Sequence, residues 1–300
     1  MGQNYKVAVI GLGSMGYGVA SSLLRAGLTV YGYDINDAQM AKFREAGGAE
    51  GALADVAGDL DAVVTVVLNA AQTEAVLFGD GGAVPMLRKG AAVMSCATVA
   101  PDFARKMESQ CAETGVLYLD APISGGPIRA ADGALSVLAS GTAETFAALK
   151  PALDGMASDV FEMGDCAGPG SAMKAVNQLL VGVHIATMAE ALTFGMTQGV
   201  DPKRFYEVIT KSAGNSWALE NRTPHIIDND YSPKSQVNIW PKDLGIVQDI
   251  ARSAQFSAPI SGAALQMYLA AQGMGLGAED DAAVAKVYAA MAGLTLPGQE

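Results

Sequence analysis

The chain has 300 residues, half of them hydrophobic and 17% charged, with a formal net charge of −12. That length suits about two domains with substantial cores, and the composition excludes a disordered chain. The acidic balance argues against nucleic acid or an anionic membrane surface as a main partner, so any anionic substrate must be drawn in by a local positive site.

Cys96, Cys111 and Cys166 are widely spaced, and His184 and His225 are the only histidines. With no CxxC pair and no Cys/His cluster, neither a disulfide scaffold nor a zinc or other metal site is expected, and a cytoplasmic location fits. A strand predicted from Tyr5 leaves no room for a signal peptide. The longest uncharged stretch, Ser253 to Ala278, is interrupted by Pro259 and several Gln and Gly residues, so it is not expected to span a membrane.

The first predicted strand is "YKVAVIG", and it runs into the turn Gly11-x-Gly13-x-x-Gly16. A predicted helix follows, with Met15, Val19 and Leu23 at i, i+4 spacing. In a chain with 35 glycines a lone GxGxxG means little. Here it lies between a strand and a helix, a second strand "LTVYGYD" follows, and Asp34 stands 18 positions beyond Gly16. That is the dinucleotide fingerprint. Gly11 permits the tight turn, Gly13 lets a pyrophosphate approach the backbone, and Gly16 allows close helix–sheet packing. Asp34 is placed to bind ribose hydroxyls and repel a 2′-phosphate, which favours NAD over NADP. The alternative is a glycine turn that only shapes the core.

Further strands are predicted at "DAVVTVVL", "AAVMS", "GVLYLDAP", "ALSVLAS" and "DVFEMG", with helices near 36–46, 100–114 and 142–154. Near-continuous apolar strands alternating with helices predict an α/β, doubly wound, mostly parallel sheet of the Rossmann type. This domain is assigned to residues 1–165 and an all-α domain to 166–300. Helices of the second half are predicted at about 171–198, 201–212, 215–228, 241–254, 258–273 and 279–292. The segment 175–195 is apolar around most of its circumference and should be buried, under its neighbours or against another subunit. The acidic run at 278–281 reads as a solvated helix start, and the tail "LTLPGQE" as frayed.

In "GPGSAMKAVNQ", Ser171 is the predicted N-cap, which puts Lys174 near the third helical position. The positive end of the helix dipole disfavours a cation there by roughly 0.3–1 kcal/mol. The position is poor for a structural lysine and good for one that must give up its proton, although a solvated first-turn lysine is the alternative. "DAPISGGP" follows the last strand of the main series, where open α/β sheets place their ligands. Its Ser124, Gly125 and Gly126 offer a hydroxyl and backbone N–H groups suited to a carboxylate, or they form an ordinary turn. Thr98, in "SCATVAP", is a candidate for the nicotinamide side. Lys242 stands beside Asp243 in "WPKDLGIVQD", either for the cofactor or as a surface pair with that aspartate.

Together, "GLGSMG", "DAPISGG", "GPGSAMKAVNQ" and "KDLGIV" resemble, in order, the motifs of the β-hydroxyacid dehydrogenase family, the relatives of 3-hydroxyisobutyrate and 6-phosphogluconate dehydrogenases. The resemblance covers nearly the whole chain. It implies NAD-dependent oxidation of a small hydroxy acid, with Lys174 as general acid/base and Asn177 as its catalytic neighbour. It also implies substrate binding by Ser124, Gly125, Gly126, Lys174 and Asn177, cofactor binding by Gly11, Leu12, Gly13, Met15, Gly16, Asp34, Thr98 and Lys242, and a homodimer or homotetramer formed through the helical half.

Within the family, residues 211–226 resemble the L-threonate-oxidising branch, where Asn215, Ser216, Asn221, Arg222 and His225 are candidates to bind a polyhydroxy acid. His225 is left open between substrate contact and structure, and His184 is expected in the core. 3-Hydroxyisobutyrate or tartronate semialdehyde are alternative substrates. Imine reduction and non-enzymatic dinucleotide sensing are the rival functions, and Lys174 argues against both.

Overall fold

Runs of Val and Ala build the sheet that carries the glycine turn. In a computed structural model, which describes residues 5–299, five parallel strands are β1 (Lys6–Ile10), β2 (Thr29–Tyr33), β3 (Ala62–Thr65), β4 (Ala92–Ser95) and β5 (Leu117–Asp120). Their order is β2-β1-β3-β4-β5. The connections carry α1 (Gly16–Arg25), α2 (Asp37–Glu45), α3 (Leu53–Val56), α4 (Ala70–Phe78) and α5 (Pro101–Thr114). Beyond β5 come β6 (Ile123–Ser124), α6 (Gly126–Asp132), β7 (Leu135–Ser140), α7 (Ala143–Met156) and β8 (Ala157–Gly164). β7 runs antiparallel to β5 and β6 and parallel to β8.

Alternation along each strand splits the apolar residues between two faces. Val7, Val9, Val64 and Met94 pack with Val19 and Leu23 of α1 and Leu149 of α7. Ala8, Ile10, Val63 and Val93 pack with Ala104 and Met107 of α5. Burial on both faces explains why these strands read as unbroken apolar runs. Three helices were not expected from the sequence. One is α4, whose start is capped by the Asn69 side chain accepting from the Gln72 N–H at 2.9 Å; the others are α3 and α6.

The chain divides into two compact units after Lys174, within α8 (Pro169–Thr197). The second unit continues with α9 (Pro202–Ile209), α10 (Trp217–Ile227), α11 (Ile239–Ser253), α12 (Pro259–Gly273) and α13 (Val284–Ala292). Its core joins Ile185, Ala189 and Leu192 of α8 to Trp240, Leu244 and Tyr268. Gly182 is required there, since a Cβ would lie 2.9 Å from the Trp240 ring. By length and composition α8 could cross a membrane, but these buried residues make it a core helix. It is not buried all round, however, because Val176, Leu180 and Phe194 are exposed.

Two further expectations are corrected. Asp280 and Asp281 are fully buried, so the acidic run is not a solvated helix start. The tail is not frayed at its start either. Leu296 is buried in the core, and the Asn229 side chain donates to the Gly298 carbonyl at 2.9 Å.

Candidate active site

The glycine turn has the geometry a dinucleotide needs. Gly11 has φ +97°, and a Cβ there would lie 2.4 Å from the Val66 carbonyl oxygen. A Cβ on Gly16 would lie 1.8 Å from the Gly11 oxygen, so α1 can approach the turn only through glycine. Around Gly13 a Cβ would meet nothing within 4 Å, which leaves its backbone open to a phosphate. Leu12 places its side chain in the core and gives the turn only its backbone. Its N–H donates to Asp34 Oδ2 at 2.6 Å, while Asp34 Oδ1 accepts from the Asn36 N–H at 2.8 Å. Each carboxylate oxygen keeps a lone pair for a ribose hydroxyl. Met15 forms the start of α1. The residues present therefore fit NAD.

Thr98 follows β4, and Ser124, Gly125 and Gly126 follow β5. With the glycine turn and Asp34 they lie beyond the carboxyl ends of parallel strands, where such sheets bind ligands. Gly125 (φ +132°) and Gly126 (φ +76°) adopt a backbone that side chains disfavour.

Lys174 is held by an arrangement that the motif alone does not show. The carboxylate of Asp120, at the end of β5 and 1% exposed, accepts from the Gly168 N–H at 3.0 Å, the Ser171 N–H at 2.8 Å and the Ser171 hydroxyl at 2.6 Å. Ser140 Oγ adds a contact to Asp120 at 3.3 Å and accepts from the Gly170 N–H at 2.9 Å. Asp120 and Ser140 thus satisfy the free N–H groups of the first turn of α8, in place of the cap expected from Ser171. Burial raises the Asp120 carboxyl above its ordinary range, against the opposing effect of these hydrogen bonds.

Because α8 begins at Pro169, Lys174 is its sixth residue and not its third. It lies beyond the turn where the helix dipole acts most strongly, so burial, at 6% exposure, sets its environment. Asp120 was missed as a site residue. An acid at the end of a wholly apolar strand was the available signal.

In the helical unit, the side chains of Asn177 and Gln178 meet at 2.9 Å, and Gln178 donates to Asp243 at 2.5 Å. Lys242 pairs with Asp243 at 2.5 Å. Asp243 is 2% exposed, so this is not the surface pair that the sequence left open.

The other candidate residues have partners of their own. Arg222 donates to Asp281 at 2.5 Å, and the Trp240 indole donates to the same carboxylate at 3.0 Å. His225 pairs with Asp280 at 2.8 Å and with Lys234 at 2.9 Å. Arg222 and His225 are buried within this network, which gives both a structural role. Asn221 accepts from Arg222. Asn215 and Ser216 line a cavity of about 380 Å³ with His184 and Thr187, so His184 is not a packed core residue.

A family model for the NAD binding domain of 6-phosphogluconate dehydrogenase matches residues 6–164. A second, for the NAD-binding region of NADP-dependent 3-hydroxyisobutyrate dehydrogenase, matches residues 168–288. The chain belongs to the β-hydroxyacid dehydrogenase family. It is 48% identical to an L-threonate dehydrogenase of Cupriavidus necator over 98% of both chains, and 45% identical to one from Haemophilus influenzae over 98% of both. A solved 3-hydroxyisobutyrate dehydrogenase from Salmonella typhimurium superposes with a TM-score of 0.88 at 43% identity, covering 94% of this chain and 99% of that one. The protein is thus an NAD-dependent dehydrogenase acting on a hydroxy acid, with an N-terminal Rossmann-type fold and helices after it.

Proposed function

We propose that this dehydrogenase oxidises L-threonate, with Lys174 as the general base. The observation that carries the base assignment is Lys174 itself, buried one turn into a helix whose start is pinned by Asp120. Bound NAD supplies the hydride acceptor at the substrate carbon. The Lys174 amine takes the proton from the adjacent hydroxyl, and in the reverse direction its ammonium returns that proton to the carbonyl oxygen. Asn177, one turn further along α8, holds the reacting hydroxyl. Ser124 and the N–H groups of Gly125 and Gly126 take the substrate carboxylate. The glycine turn and Met15 hold the pyrophosphate, Thr98 and Lys242 line the cofactor, and Asp34 selects NAD over NADP.

In this reading residues 1–165 bind the cofactor, and residues 166–300 complete the substrate site and form the subunit contact. The exposed Val176, Leu180 and Phe194 of α8 support a homodimer or homotetramer, and the protein works in the cytoplasm. Five relatives named L-threonate dehydrogenase, at 43–48% identity, support the choice of substrate. The similarity to the Salmonella 3-hydroxyisobutyrate dehydrogenase supports 3-hydroxyisobutyrate as the second reading.

Turnover of L-threonate, 3-hydroxyisobutyrate, glycerate and L-serine with NAD⁺ tests the proposal. We expect the highest kcat/KM with L-threonate. Turnover of glycerate or 3-hydroxyisobutyrate without turnover of L-threonate would reject it.

A further inference from the structure

One lysine of the helical unit has an unusual partner. Lys6, Lys106, Lys150, Lys242 and Lys286 each pair with a carboxylate, which favours the charged ammonium. Lys234, exposed in the segment between α10 and α11, instead meets His225, its Nζ 2.9 Å from the ring Nε2. On the other side of the ring, Nδ1 lies 2.8 Å from Asp280 Oδ1. His225 is 6% exposed and Asp280 is fully buried. Burial alone would raise the Asp280 carboxyl, but hydrogen bonds from His225 and from the Ala282 and Lys234 N–H groups bring it below its ordinary range. Asp280 is therefore a carboxylate and only accepts, so Nδ1 carries the ring hydrogen. The Lys234 ammonium only donates, so Nε2 keeps its lone pair. The imidazole is neutral, and that lone pair faces the lysine nitrogen.

We infer that Lys234 is a site of acylation by small acyl phosphates, with His225 as the proton acceptor and Asp280 as the carboxylate that orients it. A nucleophile, a base within hydrogen-bond reach of it and a third group that orients the base are the parts such a site needs. Imidazole suits the task better than the carboxylates beside the other lysines, because it is the stronger base. An exposed amine offers the donor no pocket, which restricts the class to small reagents activated by their own leaving group.

The ammonium first gives one proton to water, and the neutral amine attacks the acyl carbon. A C–N bond forms and the C–O bond to phosphate breaks, its electron pair leaving with the phosphate. His225 Nε2 takes the second proton from the lysine nitrogen and passes it to the departing phosphate, while the third stays on the new amide. Nothing is oxidised or reduced. The amide N–H that remains faces Nε2, so the acylated chain keeps that hydrogen bond and loses one positive charge. The site is independent of the hydroxy acid that the dehydrogenase oxidises, and it adds to the structural role of His225.

Time courses with acetyl phosphate, read lysine by lysine by mass spectrometry of digests, test the inference. Lys203 and Lys211, exposed lysines of the same unit, serve as internal controls. A positioned base supplies about a hundredfold or more, so the initial rate at Lys234 in the parent should exceed that at either control by at least about tenfold. His225→Gln offers a donor and an acceptor but no basic nitrogen. His225→Asn keeps a donor for Asp280 and withdraws from Lys234. In each variant Lys234 should fall to within about threefold of the controls, while the controls keep their parent rates, which an unfolded chain would not show. The inference is overturned if Lys234 reacts no faster than Lys203 and Lys211 in the parent, or if its lead survives in either variant.

Discussion

Asp120 accepts two hydrogen bonds from Ser171, one from its N–H at 2.8 Å and one from its hydroxyl at 2.6 Å. This double contact ties the end of β5 to the first turn of α8, and Lys174 follows Ser171 by a little less than one helical turn. The lysine inherits its place from a buried carboxylate.

Asp120→Ala should therefore cost stability and activity together. It leaves two buried N–H groups and a hydroxyl without their acceptor, each worth about 1–3 kcal/mol when buried and unpaired. Urea unfolding should show a loss of about 3 kcal/mol or more. Asp120→Asn, which keeps the shape, supplies a pH test. Burial raises the Asp120 carboxyl in the folded chain, so the folded state holds this proton to a higher pH than the unfolded state. The stability of the parent relative to Asp120→Asn should then fall as pH rises from the ordinary carboxylate value of about 4 through the raised one. A difference that grows over that window would contradict the assignment.

The Asp34 carboxylate, anchored by Leu12 and Asn36, is the proposed selector of coenzyme. Asp34→Ser removes the charge that repels a 2′-phosphate. The ratio of kcat/KM for NAD⁺ over NADP⁺ should drop by at least about tenfold, equivalent to about 1.4 kcal/mol of lost discrimination. An unchanged ratio in steady-state kinetics would show that Asp34 does not read the ribose.

Arg222 and His225 are taken to be structural. Arg222→Met strands the buried carboxylate of Asp281 and should destabilise by about 3–5 kcal/mol, read from urea unfolding. The KM for substrate, measured on the folded fraction, should stay near that of the parent. A large rise in KM with little loss of stability would return Arg222 to the substrate site.

The fold was legible because its signals are local. The Val and Ala runs of β1, β3 and β4 and the spacing Gly11, Gly13, Gly16, Asp34 can each be read within a short window. What escaped depends on partners far along the chain. Asp280 and Asp281 look solvated until Arg222 and His225, more than fifty residues earlier, are seen to meet them. Ser171 looks like a cap until Asp120, 51 residues earlier, is found doing that work from another element. The start of α8 shifted to Pro169 for the same reason, and the dipole argument for Lys174 gave way to burial. Asn69 was a readable cap for α4 that went unused.

The most direct test of the account is the pairing of turnover with coenzyme affinity in Lys174→Ala. We expect kcat for L-threonate to fall by about a hundredfold or more, the scale of a lost general base, with the NADH dissociation constant within about threefold of the parent. Turnover at the parent rate would contradict the central claim that Lys174 moves the proton.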